Sequence, residues 1–236
     1  MADDVLSICD LCSRLVRHFC VHCGVTPSPQ PAGMIPIPAG TFMLGSSREE
    51  RAVLTLRLKN QLPGNAFESE RLQPVVRSRS VYMDQYPVTV RQFAEFAKNL
   101  SVSQRNALRI GDPSALADDR DLPATGVTWA AASKYAESQG KRLPTEAEWE
   151  IAAGWNPEKN LKQFFPWGND LDIDRQRCAI AGHLEPVTSY ELMSKSPLGC
   201  CDMVGNAAEW CADAYQGTYR FREHHDIAAD RSKSVV

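Results

Sequence analysis

Apolar positions in this chain fall into short runs between turn signals rather than long helical stripes. Met34 to Met43 carries Met34, Ile35, Ile37, Phe42 and Met43 ahead of a glycine turn at Gly45, and reads as a strand. Val75 to Met83 alternates with Arg77, Arg79 and Ser80 and predicts a second strand. Between them, Ser47 to Lys59 opens on Arg48, Glu49, Glu50 and Arg51 and then turns apolar at Val53, Leu54, Leu56 and Leu58. That pattern predicts a short helix, followed by a loop at Leu62-Pro63-Gly64-Asn65. Thr89 with Gln92 forms a capping box, in which the hydroxyl accepts a helical amide and the Gln side chain reaches back. The helix it opens buries Phe93, Phe96 and Ala97. Thr128 caps a second helix carrying Trp129, Ala132, Tyr135 and Ala136, which stops at Gly140. Thr145 with Glu148, just after Pro144, opens a third that packs Trp149, Ile151 and Ala152 and ends at Gly154. Short turns rich in Gly and Pro follow, so the fold class is α+β and loop-rich.

Composition adds bounds. A chain of 236 residues with 43% apolar content suits one globular domain with an appendage. The net charge of −3 is spread over interspersed acids and bases, which gives no reason to expect nucleic acid or an anionic membrane. No apolar run approaches the roughly 18 residues a spanning helix needs. The start, Met1-Ala2-Asp3-Asp4, puts acids where a secretory signal needs bases, so a cytoplasmic protein is expected.

The eight cysteines form two groups. Cys178, Cys200, Cys201 and Cys211 read as half-buried thiols of a reducing compartment, and the adjacent pair Cys200-Cys201 would bridge only with strain. The other four crowd the N-terminus. Cys9-x-x-Cys12 and Cys20-x-x-Cys23 stand seven residues apart, a spacing that can close a tetrahedral thiolate site. Gly24 frees the backbone for the tight knuckle behind the second pair. The segment is too small to bury a core, and a metal can supply its folding free energy. Zinc is the expected ion; an amphipathic helix through Leu11, Leu15 and Phe19 and an iron centre are the alternatives, with His18 and His22 as substitute ligands. The expected organisation is a four-cysteine zinc knuckle over 1–24, a Pro-rich linker over 25–33 and the main domain over 34–236.

Lys141-Arg142-Leu143-Pro144-Thr145-Glu146-Ala147-Glu148-Trp149-Glu150 and Asp202-Met203-Val204-Gly205-Asn206-Ala207-Ala208-Glu209-Trp210 each set a turn or helix start beside Glu-Trp. With Phe165-Pro166-Trp167-Gly168-Asn169, the Met34–Gly45 stretch, Val81–Thr89 and Gly126-Val127-Thr128-Trp129, these segments in this order resemble the formylglycine-generating enzyme family, or sulfatase-modifying-factor domain. The resemblance implies a C-type-lectin-like fold, here lacking its last strands. It also implies a calcium site at Asp202, Gly205, Ala207 and Glu209, where two carboxylates and two turn carbonyls face one ion, as oxygen-seeking calcium requires. The other reading of that turn is a loop held by hydrogen bonds alone.

Relatives in the family include copper-dependent oxidases that convert a sulfatase cysteine to formylglycine, iron-dependent sulfoxide synthases, and ligand-binding proteins, so function has to come from the site. The oxidases bind copper through two cysteines that follow an Arg-Gly-Gly-Ser stretch beyond the Gly-Asn-x-x-Glu-Trp segment. Neither element occurs before Val236, and Cys200, Cys201 and Cys211 do not match those positions. The polar stretch from Ala212 to Val236 is expected to offer little in place of the family's closing strands. Trp129, Trp149, Trp155, Trp167 and Trp210 read as scaffolding first and a ligand groove second. Capping and an ion pair account for Arg142, Glu146 and Glu148 without catalysis. The expected function is a non-catalytic module that binds another protein or a ligand, with a protein partner pairing at the incomplete C-terminal edge. The alternatives are a copper-dependent oxidase completed by a separate C-terminal piece, and a fragment without independent function.

Overall fold

The computed structural model describes residues 7–9, 15–16, 20–24, 26–57, 64, 66–77, 79–112, 121–170, 183–214 and 234–235. At the N-terminus β1 (Ser7–Ile8) and β2 (Leu15–Val16) form an antiparallel hairpin, with Ile8 opposite Leu15. Leu15, one of the three positions of the helical alternative, has strand backbone, while Leu11 and Phe19 lie outside the described residues.

The stretch from Met34 is two strands rather than one. β3 (Met34–Ile37) and β4 (Gly40–Leu44) are parted at Pro38-Ala39 and join different sheets. The Val75–Met83 stretch divides in the same way into β5 (Gln73–Arg77) and β6 (Val81–Asp84). β4 pairs with β5 from Gly40 opposite Arg77 to Leu44 opposite Gln73, while β3 pairs with β6 from Ile37 opposite Val81 to Met34 opposite Asp84. Both pairs are antiparallel, and Ala39 N–H donates to Ser80 Oγ at 2.8 Å where they part. Proline at 38 has no N–H for a continuous ladder, so the ribbon changes sheets there.

Between β4 and β5 lies α1 (Arg48–Arg57), as the charged-then-apolar pattern predicts. The turn entering it needs Gly45, whose φ is +77° and whose Cβ would meet the Arg71 carbonyl oxygen at 2.3 Å. α2 (Val90–Lys98), α4 (Trp129–Ser138) and α5 (Glu146–Gly154) start at Thr89, Thr128 and Thr145, with full capping boxes at the first and last. One helix that the hydrophobic pattern does not announce, α3 (Val102–Leu108), starts from a capping box of its own, Ser101 with Gln104. β7 (Lys141–Arg142), the hairpin of β8 (Trp155–Asn156) and β9 (Leu161–Lys162), and α6 (Glu191–Ser194) complete the described main domain up to the turn at 202–210.

Two cores result. Ile37, Phe42, Leu44, Met83, Ile151 and Trp155 lie between the strands and α5, with the Phe42 and Trp155 rings edge-on at 4.8 Å. Phe93, Phe96 and Tyr135 join α2 to α4, their ring centroids 5.6 to 5.9 Å apart.

The C-terminal expectation needs correction at two residues. β10 (Ser234–Val235) lies between β6 and β7 and runs parallel to both, with Val235 opposite Met83 and Arg142. Backbone pairing needs no apolar sequence, which is why a polar tail can still place a strand there. No helix of the described residues is long and apolar enough to cross a membrane.

Candidate functional site

The thiols converge first. The Sγ atoms of Cys9, Cys20 and Cys23 lie within 4.8 Å of one another, with Cys9 and Cys20 buried and Cys23 half-buried. Cys12, the fourth expected ligand, lies outside the described residues. The second pair sits on a knuckle: Cys23 and Gly24 N–H both donate to the Cys20 carbonyl, at 3.2 and 2.7 Å, with Gly24 at φ +70°. Such a turn aims two thiols the same way, which suits a soft ion held by thiolates. His22 is exposed.

At the far end of β6 the chain lines a cavity of about 110 Å³. Its lining includes Tyr86, Phe93 and Leu143 as a first group, and Trp149, Glu209 and Trp210 as a second. α5 and the 202–210 turn position the second group, and Glu148 anchors α5. Its Oε1 accepts from Arg77 Nη1 at 2.6 Å and Arg142 Nη2 at 2.7 Å; Oε2 accepts from Arg142 Nη1 at 2.7 Å and Thr145 N–H at 2.8 Å. Burial pushes this carboxyl up, but the Arg142 hydrogen bonds, the charges of Arg77 and Arg142 and the Thr145 amide outweigh it and hold the pKa at about 2. Glu148 is thus a structural anion, as capping and ion pairing predict, while Glu146 is exposed. Arg77, an ordinary alternating strand position in the sequence, carries no signal of this role.

The 202–210 turn, expected to hold calcium, has side chains that already have partners. Asp202 is buried at φ +57°, and its Oδ2 accepts from Asn206 Nδ2 at 2.9 Å. Asn206 also donates to the Glu185 carbonyl and accepts the Glu185 amide, both at 3.0 Å. Gly205 turns at φ +86°, and Ala207 and Glu209 reach the cavity wall. Glu209 Oε2 accepts the Trp149 indole N–H at 2.5 Å. Glu209 is exposed as a residue, but its carboxyl end is crowded. That crowding raises its pKa, the Trp149 N–H opposes the rise and the Asp202 charge adds to it, for a net value of about 7. The structure therefore brings Asp202 and Glu209 into electrostatic reach within a turn that hydrogen bonds also hold.

The indoles serve mainly as braces. Trp129 Nε1 donates to the Cys211 carbonyl at 2.9 Å, Trp210 Nε1 to the Val127 carbonyl at 2.8 Å, and Trp167 stacks on Phe165 at 5.2 Å. The first two tie the turn to the start of α4, which leaves Trp129 and Trp210 about half-exposed rather than packed inward.

The main-domain thiols that are described are held protonated. Burial pushes the Cys200 thiol far up, with the Glu209 charge adding to it. Burial likewise raises Cys201 to about 11, and raises Cys211 to about 12 with the Asp213 charge adding. Cys201 reaches the cavity and accepts weakly from Gln85 Nε2 at 4.0 Å.

Known proteins share this architecture to different extents. Over 219 residues the chain is 32% identical to "Serine/threonine-protein kinase Pkn1" of Chlamydia trachomatis, covering 87% of this chain and 31% of that protein. It thus spans about a third of the length of that relative. It is 27% identical to "Formylglycine-generating enzyme" of Thermomonospora curvata, over 84% of this chain and 77% of that protein. "Inactive C-alpha-formylglycine-generating enzyme 2" of Mus musculus is 34% identical over 119 residues, 45% of this chain and 37% of that protein. The model of the Sulfatase-modifying factor enzyme 1-like domain matches residues 23–235, and this chain belongs to that family.

Proposed function

We propose that this is a non-catalytic member of its family, a module that binds another protein or a ligand, with the cavity beside Trp149 and Trp210 as the binding site. The observation that carries this reading is the state of the thiols. Copper-thiolate oxidation needs two thiols that both an ion and a substrate can reach, whereas Cys200 and Cys201 are each only 1% exposed, and burial raises the pKa of both and of Cys211. The similarity to a relative named as inactive supports the same reading. In this reading zinc sits on Cys9, Cys20, Cys23 and Cys12, and calcium on Asp202, Gly205, Ala207 and Glu209. The protein works in the cytoplasm, where these thiols stay reduced, and a protein partner pairs at the sheet edge that β7 forms. The N-terminal 1–24 unit, the 25–33 linker and the 34–236 domain keep their proposed bounds.

A second reading, a copper-dependent oxidase completed by a separate C-terminal piece, draws support from the long match to a formylglycine-generating enzyme. One assay asks whether this chain is itself an oxidase. Incubated with copper(I), oxygen, a reductant and a peptide bearing Cys-x-Pro-x-Arg, this chain is expected to leave the cysteine intact by mass spectrometry. Copper-dependent aldehyde formation that disappears in Cys200→Ser, Cys201→Ser or Cys211→Ser would establish an enzyme with relocated ligands.

A further inference from the structure

The thiol cluster meets the main domain at the residue next to Cys9. Ile8, the residue before Cys9, donates its N–H to the hydroxyl of Tyr82 at 3.0 Å. Tyr82 is the second residue of β6, paired opposite Pro36 of β3. The next residue, Met83, is in the main core and lines the cavity. Asp84 follows, paired with Lys141 of β7 at 2.6 Å, and then Gln85, whose N–H donates to the Gly33 carbonyl and whose carbonyl accepts from Cys201 N–H. Tyr86 completes the run on the cavity wall. A single short segment therefore begins at the knuckle's contact and ends at the binding site.

We propose that ion occupancy of the Cys9–Cys20–Cys23 cluster is a latch on β6: the loaded knuckle holds Ile8 against Tyr82 and so fixes the segment that forms the cavity wall. This rests on the reading of the cluster as a metal site. The physical basis is the smallness of what surrounds the thiols. β1 and β2 contribute two residues each, too little to order themselves without an external tie, so the geometry of Ile8 depends on what binds Cys9. Losing the ion frees β1 and removes the donor from the Tyr82 hydroxyl, leaving β6 to its pairing with β3 and β10 and the Asp84–Lys141 ion pair. The linker over 25–33 does not insulate the two units, because the contact bypasses it.

The coupling also runs in reverse. A ligand that orders the Tyr86 end of β6 must strengthen ion binding by the same factor.

The test uses the full chain and zinc alone as the probe. Zinc content, amide exchange of Val81–Asp84 and thermal unfolding are measured with and without a soft-metal-selective chelator, in wild type and in Tyr82→Phe. The expected result is about one zinc per chain and exchange of the β6 amides at least about fivefold faster after chelation. In Tyr82→Phe that response is lost while zinc content is kept. Zinc retained with β6 exchange and unfolding insensitive to chelation would overturn the latch and leave the metal site standing. Absence of zinc after metal-replete, reducing expression would remove the metal site and the latch together. A calcium-selective chelator run in parallel separates any effect of the 202–210 turn.

Discussion

Two buried clusters in this molecule deal with charge in opposite ways. Around Glu148 the chain supplies the anion and its counter-charges itself: two guanidinium groups and a capping amide surround a carboxylate only 1% exposed. At Cys9, Cys20 and Cys23 three thiols converge where, once ionised, they would hold a concentrated negative charge that calls for a cation from outside. The first cluster is finished when the chain folds. The second is able to hold a metal ion, and in the reading proposed above its stability belongs to that ion. The 202–210 turn stands between them, with two carboxylates already hydrogen-bonded by Asn206 and Trp149.

The sharpest way to break this contrast is to remove the ligands. Cys20→Ser with Cys23→Ser is expected to abolish zinc binding and the order of residues up to Gly24, checked by elemental analysis and amide exchange. Structural zinc is worth about 10–16 kcal/mol in comparable thiolate sites. Next in size is Glu148→Ala, which strands Arg77 and Arg142 without their anion. A loss of about 3–5 kcal/mol is expected, or on the order of 10 °C in melting temperature. If this variant melts like wild type, the cluster is not self-neutralised.

The same carboxylate gives a pH signature. Its pKa is depressed from 4.5 to about 2, so its contribution is complete above about pH 4.5 and is lost as pH falls toward 2. The contribution is on the order of 3 kcal/mol, and acid titration of unfolding with and without Glu148→Gln would isolate it. The smallest expected effect belongs to the calcium turn, because hydrogen bonds already hold it. A calcium-selective chelator should lower the melting temperature by a few degrees, corresponding to about 2.7 kcal/mol at a hundredfold excess of calcium over its Kd. Glu209→Gln should remove that response. Overlaid melting curves would mean that hydrogen bonds alone suffice.

The helix starts were legible because a capping box is local: Thr89 with Gln92 and Thr145 with Glu148 specify their own amide partners within one turn. α3 carries the same signal at Ser101 and Gln104 and was open to the same reading. The strand divisions were not legible in this way. Alternation shows which face a residue takes but not which sheet it joins, so the break near Ala39 and its counterpart near Ser80 are visible only once the two lie together. In the site, the cysteine spacing anticipated that Cys9, Cys20 and Cys23 come together, while Cys12 lies outside the described residues. The Arg77–Glu148 pair and the Ile8–Tyr82 contact remained hidden, since each joins residues far apart in sequence through a single bond.

The direction of β10 has a practical corollary for anyone labelling this protein. Because Ser234–Val235 runs parallel to β6, with Val235 level with Met83, the strand shares the direction in which β6 runs on to Asp84 and the cavity wall. A dye or affinity handle attached at that strand sits on the neighbour of β6, whose Met83 and Asp84 line the cavity. There it can report on a ligand's arrival by energy transfer from the indoles, or obstruct that arrival if it is bulky.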